Sequence, residues 1–115
     1  MDLTAQDEKF TLNIAFNYGG RAEIVYAARQ LIATGQDPTT LDEATFAAHL
    51  YLPDLHATDL VIRTAGEMRL SNFLLWQVAY AEFYSAPAFW PDFGREELLK
   101  ALVEYSSRER RFGKL

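Results

Sequence analysis

A chain of 115 residues has the usual length of one domain, and with 50% hydrophobic residues it is too apolar for an intrinsically disordered protein. The formal net charge of −5 argues against a general binder of nucleic acid or anionic membranes, since these partners require a basic surface; any anion site must therefore be local. The absence of cysteine excludes disulfides, thiolate metal sites and a cysteine nucleophile, and agrees with a reducing cytoplasm.

The amino-terminal sequence, MDLTAQDEKF, has neither the basic nor the apolar region of a signal peptide, and no apolar run approaches the length of a membrane span. The sequence contains no internal repeat and no linker long enough to separate two domains. It therefore predicts a soluble, cytoplasmic protein that folds as a single domain over residues 1–115.

The first predicted unit is a strand, a turn and a helix. Residues 11–17, TLNIAFN, are β-prone and nearly continuously apolar, which is typical of a strand buried on both faces. Gly19 and Gly20 form the turn, and a helix with an apolar stripe follows. The stripe consists of Ile24, Val25, Ala28, Leu31 and Ile32. Next, Thr40–Glu43 reads as a capping box that opens a short helix closed by Pro53.

The second half of the chain predicts two more strands and two more helices. Residues 59–63, DLVIR, form a short apolar strand, and residues 79–85, AYAEFYS, alternate as a third strand. Between them we expect a helix from Ser71 to about Val78, capped by Ser71 or Asn72. A last helix carries a stripe that should face the core. This stripe consists of Leu98, Leu99, Leu102 and Tyr105.

Strands that alternate with helices predict the fold class α/β, with a parallel sheet, right-handed crossovers and helices on both faces. Functional groups are expected at the carboxyl ends of the strands. Because three parallel strands leave an unpaired edge, the sheet looks incomplete. We therefore expect the chain to be part of a larger fold, with further strands supplied from elsewhere.

The first candidates for an anion site are Arg63, Arg69 and Ser71. Arg63 follows an apolar strand, and the other two residues precede a predicted helix whose N–H groups favour an anion. Guanidinium groups suit phosphate oxygens, and Gly66 lets the backbone approach closely. The alternative is that both arginines pair with Glu67 at the surface while Ser71 only caps the helix.

Glu82 is the candidate metal ligand. It lies in the third predicted strand among apolar neighbours, where an unpaired carboxylate would be costly. A Mg²⁺ ion that bridges it to a diphosphate would remove this cost, because Mg²⁺ favours one or two carboxylates together with phosphate oxygens. The alternative is a solvent-facing position at the edge of the sheet.

Other motifs give weaker signals. Residues 17–21, NYGGR, lack the glycine spacing of dinucleotide sites and the Lys-Ser/Thr of a P-loop, so we expect the glycines to serve a sharp turn. His49 and His56 share no metal-ligand spacing, and no serine lies in a nucleophile elbow. Basic residues at the carboxyl terminus either complement a helix end or reach a phosphate across a subunit boundary. They are Arg108, Arg110, Arg111 and Lys114.

Four segments together resemble the carboxyl-terminal half of the cis-prenyltransferases, the family of undecaprenyl diphosphate synthase. They are LNIAFNYGGRAEI, DLVIRTAGEMRLSNFLLWQVAYAEFY, WPDF and RERRFG, in the family's order and approximate spacing. The resemblance covers nearly the whole chain from about residue 9. It implies Mg²⁺-dependent transfer of an allylic prenyl diphosphate onto isopentenyl diphosphate, which makes a new cis double bond and releases diphosphate. The polyprenyl product would partition toward membranes.

The resemblance also implies a set of substrate-binding residues and one metal ligand. The substrate-binding residues are Arg63, Arg69, Leu70, Ser71, Arg111 and Gly113. Leu70 would contribute a backbone contact, whereas Arg111 and Gly113 belong to an Arg-x-Gly tail that completes the phosphate site of the neighbouring subunit in a dimer. Glu82 would ligate Mg²⁺.

Two departures from the family pattern bear on function. Relatives carry an Asp-Gly-Asn-x-Arg-Trp-Ala type segment whose aspartate ligates Mg²⁺, and this segment does not occur here; some relatives also have histidine at the position of Met68. We therefore expect half a site, completed in a homodimer or in a heteromer with a chain that supplies the amino-terminal half. The alternatives are a noncatalytic accessory subunit, a phosphate-binding module without turnover, and a synthase of short-chain or irregular terpene diphosphates.

Overall fold

The computed structural model describes residues 10–55 and 57–108. The elements in chain order are α1 (Gly20–Ala33), α2 (Glu43–Ala47), β1 (Leu60–Arg63), β2 (Glu82–Ser85), a 3₁₀ helix (Trp90–Asp92) and α3 (Arg95–Ser107). Strands β1 and β2 form a parallel sheet in which Arg63 lies opposite Ser85. The predicted α/β class and the parallel pairing are confirmed. Within the described residues, no helix is both long and apolar enough to cross a membrane.

Helix α1 is confirmed, although it buries a different face from the predicted one. Leu31 is buried as expected, whereas Val25 and Ile32 are exposed. The buried residues follow one another at three- and four-residue spacing, as one face of a helix requires. They are Gly20, Glu23, Ala27 and Leu31. The carboxylate of Glu23 lies in the middle of this face, so a search for apolar residues alone does not detect the buried face.

Helix α2 begins after Asp42, whose carboxylate accepts a hydrogen bond from the Thr45 N–H at 2.7 Å. The predicted short helix is confirmed, but its cap is Asp42 and not Thr40. A side-chain oxygen at this position satisfies an N–H group that the first helical turn leaves unpaired. The helix ends at Ala47 and turns follow it, so it stops well before Pro53.

The predicted strand at residues 11–17 is wrong. Within the described residues, no backbone hydrogen bond joins residues 10–17 to the rest of the chain. Large apolar side chains of this segment are exposed, from 71% at Leu12 to 92% at Phe16. A strand needs a second strand beside it to pair its N–H and C=O groups, and the described sheet consists of β1 and β2 alone. β propensity without a partner therefore did not produce a strand.

The helix predicted from Ser71 to Val78 is also wrong, because residues 71–80 form successive turns. The φ angles are +52° at Ser71, +65° at Asn72 and +45° at Leu74, all in the left-handed region that interrupts an α-helix. Asn72 nevertheless acts as a helix cap, but for a different helix. Its Oδ1 accepts the N–H of Arg21 in the first turn of α1, at 2.9 Å.

Helix α3 begins after Gly94 and packs against β2. Ala101 is fully buried. The predicted core stripe is wrong within the described residues, since Leu98, Leu99 and Leu102 are 42 to 48% exposed. The buried hydrophobic residues of the described chain are Ala27, Leu31, Leu50, Val78, Ala86 and Ala101. Because half of this core is alanine, much apolar surface stays exposed, as it does on chains that bind a further partner.

Candidate functional site

Arg63 ends β1 and therefore lies at the carboxyl ends of the strands, where sites of parallel sheets form. It is half-buried and lines a cavity of about 280 Å³. Among residues 10–55 and 57–108, nothing forms an ion pair or a hydrogen bond with its guanidinium. The other lining residues are Thr58, Leu60, Val61, Ile62, Leu70, Phe73, Leu74 and Val78. A permanent cation beside an apolar wall suits a ligand that joins an anion to a hydrocarbon.

The loop that follows β1 is fixed to the chain beyond β2. The N–H of Ala65 donates to the carbonyl of Ala88 at 2.8 Å, and the N–H of Gly66 donates to the carbonyl of Ala86 at 2.9 Å. The hydroxyl of Ser85 donates to the Glu67 carbonyl at 2.8 Å. The motif analysis did not single out Ser85, whose position opposite Arg63 becomes visible only once the strands are paired.

Arg69 pairs with Glu67, with 3.1 Å between Nε and Oε2. The sequence left open that both arginines pair with Glu67 at the surface. The structure shows this pairing for Arg69 but not for Arg63. The two side chains are 77% and 42% exposed, so the pair contributes little to stability and is easily exchanged for another anion.

Leu70 and Ser71 follow Arg69 at the edge of the cavity. Leu70 is half-buried and lines the same cavity as Arg63, and its carbonyl accepts the Phe73 N–H at 3.2 Å. Ser71 is exposed, and it does not cap a helix after it because residues 71–80 are turns. The structure therefore brings Arg63 and Leu70 to one cavity, with Arg69 and Ser71 flanking Leu70 in the chain.

Glu82 begins β2, opposite Leu60, and so lies at the other end of the sheet from Arg63. The two ends of β1 are three residue rises apart, a distance of about 10 Å along the strand. The Glu82 side chain is 22% exposed, and its Oε2 lies 3.5 Å from Nη1 of Arg108. Its partner is therefore an arginine, an arrangement that neither the metal-ligand hypothesis nor its solvent-facing alternative predicted.

The described residues contain no group of three histidine, aspartate or glutamate side chains that could hold a metal ion. Glu82 supplies one carboxylate, and Arg108 already engages it. Mg²⁺ binds to one or two carboxylates together with phosphate oxygens and water. This donor set therefore fits Mg²⁺ only as one ligand of a site that another carboxylate and a diphosphate would complete.

Five residues singled out from the sequence lie outside the described part of the chain: His56, Arg110, Arg111, Gly113 and Lys114. His49, which follows α2, has a structural contact: its Nδ1 lies 2.9 Å from the carbonyl oxygen of Thr45 in that helix.

Sequence reasoning missed Glu23, a carboxylate that is only 2% exposed. It accepts hydrogen bonds from the Tyr18 hydroxyl, from the Tyr51 N–H at 3.0 Å and from Nε2 of Gln77 at 3.2 Å. All three donors are neutral. Burial of the phenol, the hydrogen bond to Glu23 and the charge of Glu23 together raise the pKa of Tyr18 far above its usual value.

This hydrogen-bonded cluster connects three segments that are distant in sequence, the first of which contains both Tyr18 and Glu23. Tyr18 precedes α1, Glu23 belongs to α1, Tyr51 follows α2, and Gln77 lies in the turns after Ser71. The signal available in the sequence was the spacing of Glu23, three residues after Gly20 and four before Ala27 on one helix face. The cluster thus joins the segment that carries Ser71 to the body of α1.

Gly20 allows the same segment to approach α1. A Cβ atom at Gly20 would lie 2.8 Å from Cγ of Leu75 and 2.9 Å from the carbonyl oxygen of Asn72, closer than such atoms can come. The NYGGR motif therefore has a geometric role, as expected, although the reason is close packing rather than the sharpness of the turn.

Comparison with known proteins assigns the fold to a family. The family model of the prenyltransferases described as undecaprenyl diphosphate synthase matches residues 1–113. The chain belongs to this family. The resemblance seen in the four sequence segments is thereby confirmed.

Relatives in the isoprenyl transferase family are closely similar but longer. The isoprenyl transferase of Fusobacterium nucleatum is 54% identical over 110 residues, which are 96% of this chain and 46% of the relative. That of Thermotoga maritima is 52% identical over 114 residues, or 97% of this chain and 49% of the relative. The chain thus spans about half the length of the curated relatives it matches.

Solved structures agree with this assignment. A lavandulyl diphosphate synthase from Lavandula x intermedia, in complex with dimethylallyl diphosphate, superimposes with a TM-score of 0.80 at 48% identity over 84% of this chain and 44% of that chain. A probable undecaprenyl diphosphate synthase from Campylobacter jejuni gives a TM-score of 0.76 at 39% identity over 89% of this chain and 47% of that chain. The described fold is therefore part of an isoprenyl transferase fold.

Proposed function

We propose that this chain is the carboxyl-terminal portion of an isoprenyl transferase and supplies the isopentenyl diphosphate half of its active site. The reaction would be the Mg²⁺-dependent condensation of isopentenyl diphosphate with an allylic prenyl diphosphate, giving a cis double bond, a polyprenyl diphosphate and free diphosphate. Membership of the family and coverage of about half of each relative support the proposal. A cytoplasmic enzyme, assembled as a homodimer or with a chain carrying the amino-terminal half, belongs to the same proposal.

The observation that carries the proposal is the position of Arg63 in an apolar cavity. Isopentenyl diphosphate joins two phosphate groups to a short hydrocarbon chain, so it needs a cation beside an apolar wall. Arg63 supplies the cation, and Leu70 with its apolar neighbours supplies the wall. Guanidinium groups bind phosphate oxygens through paired N–H donors, which gives the contact both strength and orientation.

Arg69 and Ser71 would complete the diphosphate contacts from the loop. Arg69 would leave its exposed pairing with Glu67 for the diphosphate, at little cost to stability. Leu70 would add a backbone contact. Arg111 and Gly113 would act in the phosphate site of a neighbouring subunit, as in the Arg-x-Gly tail that they resemble.

Glu82 is proposed as the Mg²⁺ ligand of this chain, acting with a carboxylate from the amino-terminal half. Bound Mg²⁺ would neutralise the negative charge that develops on the departing diphosphate. Glu82 would have to exchange its contact with Arg108 for the metal. The apolar cavity wall would exclude water beside the isopentenyl group, as an allylic cation formed next to it would require.

Two alternatives are tested beside this proposal. One is a short-chain or irregular terpene diphosphate synthase, and a lavandulyl diphosphate synthase is among the structures that the chain resembles. The other is a noncatalytic accessory subunit; the exposed leucines of α3 offer a surface to another chain in that case and in the leading proposal alike. An assay of products with a supplied amino-terminal half separates these alternatives, because an accessory subunit would leave that half inactive.

The proposal is tested first by calorimetry of isopentenyl diphosphate on the purified chain. Arg63→Ala should weaken binding by about tenfold or more, because a hydrogen bond to a charged group contributes roughly 1.5–3 kcal/mol. Arg29→Ala, a matched change at an exposed residue of α1, should leave affinity unchanged. Equal affinity of the Arg63 variant and the unaltered chain would refute the site.

Turnover is tested with labelled isopentenyl diphosphate, farnesyl diphosphate and Mg²⁺. The chain alone should not form product, and adding a chain with the amino-terminal half of a relative should restore product formation. Product formed by the purified chain alone would contradict the half-site proposal.

A further inference from the structure

Asn72 connects the loop of the proposed site to the first turn of α1. Its carbonyl accepts the Gly20 N–H at 2.7 Å, and its side-chain Oδ1 accepts the Arg21 N–H at 2.9 Å. The first N–H groups of a helix have no partner within the helix, and Gly19 at the N-cap has no side chain to offer. A residue 51 positions away in the sequence therefore caps α1.

The neighbouring backbone depends on this connection. Ser71 and Asn72 both have positive φ angles, and asparagine tolerates this conformation better than serine. Ser71 is exposed, so burial of its side chain does not hold it there. Beside the local hydrogen bond from the Phe73 N–H to the Leu70 carbonyl, the two hydrogen bonds of Asn72 are the nearest contacts that tie Ser71 to a distant segment.

The surface of α1 is shaped to receive the loop. A side chain at Gly20 would collide with the carbonyl of Asn72 and with Leu75, so only glycine lets the two backbones approach this closely. The cap is thus part of a close-packed contact rather than a side chain that happens to point toward a helix end.

We infer that Asn72 is a positioning residue for isopentenyl diphosphate, because it holds the backbone of Leu70 and Ser71 in the form that meets the diphosphate. The inference rests on the proposed function of those two residues. Asn72 itself need not touch the ligand; it acts by tying the loop to the rigid first turn of α1.

The test compares Asn72→Gly with the unaltered chain. Glycine accepts positive φ without strain, so this change removes Oδ1 and leaves the backbone conformation accessible. We expect the affinity for isopentenyl diphosphate, measured by calorimetry, to fall about two- to fivefold, the range typical of a capping side chain replaced by glycine or alanine. Hydrogen exchange of the Arg21 amide, followed by NMR, should accelerate by a similar factor.

Two controls separate positioning from general destabilisation. Asn17 also has a positive φ, +55°, and its side chain forms no hydrogen bond with the described residues, so Asn17→Gly should change neither quantity. Asn72→Asp keeps an oxygen for the Arg21 N–H, so it should keep slow exchange of that amide. If Asn72→Gly does not fold, Asn72→Ser, with a shorter acceptor, takes its place in the comparison.

The outcomes are distinct. Weaker binding by the Asn72 variant, with unchanged binding by Asn17→Gly, supports the inference. Wild-type affinity of Asn72→Gly or Asn72→Ser with faster Arg21 exchange overturns it, because the cap would then stabilise only the helix. Equal loss of affinity in Asn17→Gly also overturns it. If the unaltered chain does not bind isopentenyl diphosphate, the proposed function fails and the inference fails with it.

Discussion

The buried carboxylate of Glu23 allows a quantitative test of how the candidate site is held together. Glu23→Gln keeps the size of the side chain and removes its charge. Three donors point at this carboxylate and reach both of its oxygens, whereas the amide has one oxygen, so at least one buried donor loses its acceptor at a cost of about 1–3 kcal/mol. The bonds that remain weaken because their acceptor becomes neutral, and relief from burying a charge offsets this weakening. We expect a net loss of about 2 kcal/mol in the free energy of unfolding.

Urea unfolding followed by circular dichroism measures this loss. The slope of the free energy against urea should stay constant, so that the midpoint alone moves. Glu96→Gln, at an exposed position in the first turn of α3, is the matched control and should change stability by less than about 0.5 kcal/mol. An unfolding free energy of Glu23→Gln equal to that of the unaltered chain would refute the reasoning.

Tyr18 gives a second readout of the same contact. Burial and the contact with Glu23 raise its pKa in the folded chain above the ordinary value of 10.0. The stability linked to Tyr18 is therefore fully present below pH 10 and is lost as the pH rises above it. In Glu23→Gln the pKa of Tyr18 should fall, so this loss should end at a lower pH. The Tyr18→Phe variant should show no such loss of stability above pH 10. If the stability of Glu23→Gln depends on alkaline pH as that of the unaltered chain does, the assignment is contradicted.

Three other contacts give predictions of their own. Gly20→Ala should destabilise the chain by roughly 1–3 kcal/mol in urea, because its Cβ would push the loop from α1. The control is Gly94→Ala, whose Cβ meets no atom within 4 Å; it changes only the N-cap of α3 and should cost less than about 1 kcal/mol, and equal stability of the two variants would disprove the close approach. Arg69→Ala should weaken isopentenyl diphosphate binding in calorimetry relative to Arg29→Ala, and unchanged affinity would remove Arg69 from the site. Glu82→Gln should weaken the Mg²⁺ dependence of any active assembly, and superimposable Mg²⁺ titrations would exclude it as a ligand.

The elements that could be predicted from the sequence are those whose partners lie within the described chain. Residues 59–63 and 11–17 are similar apolar, β-prone segments, yet only the first contains a strand. The first has β2 beside it, whereas no partner strand for the second is present among the described residues. Strand pairing is a non-local property, so local composition does not distinguish the two cases.

The prediction of a helix from Ser71 to Val78 failed for a related reason. The composition of this segment, SNFLLWQV, favours a helix, but Asn72 and Gln77 bond to α1 about fifty residues away, and this contact decides the backbone conformation. Tertiary contacts commonly override helix propensity in this way.

The candidate site was only partly accessible to sequence reasoning. Motif resemblance located Arg63 and Leu70, and the structure brings both to one cavity. The resemblance did not reveal that Glu82 lies at the start of β2 and Arg63 at the end of β1, because register follows from strand pairing and not from composition. Glu23 was missed because a lone acid on an amphipathic helix ordinarily faces water.

Residues 10–16, FTLNIAF, have a consequence for how the chain behaves at high concentration. The segment is β-prone, uncharged and free of proline, and its large side chains are exposed. Segments of this kind stack in register into cross-β fibrils when nothing covers them. The purified chain at high concentration should therefore form fibrils that bind amyloid dyes, and a second chain that covered this segment would slow their formation.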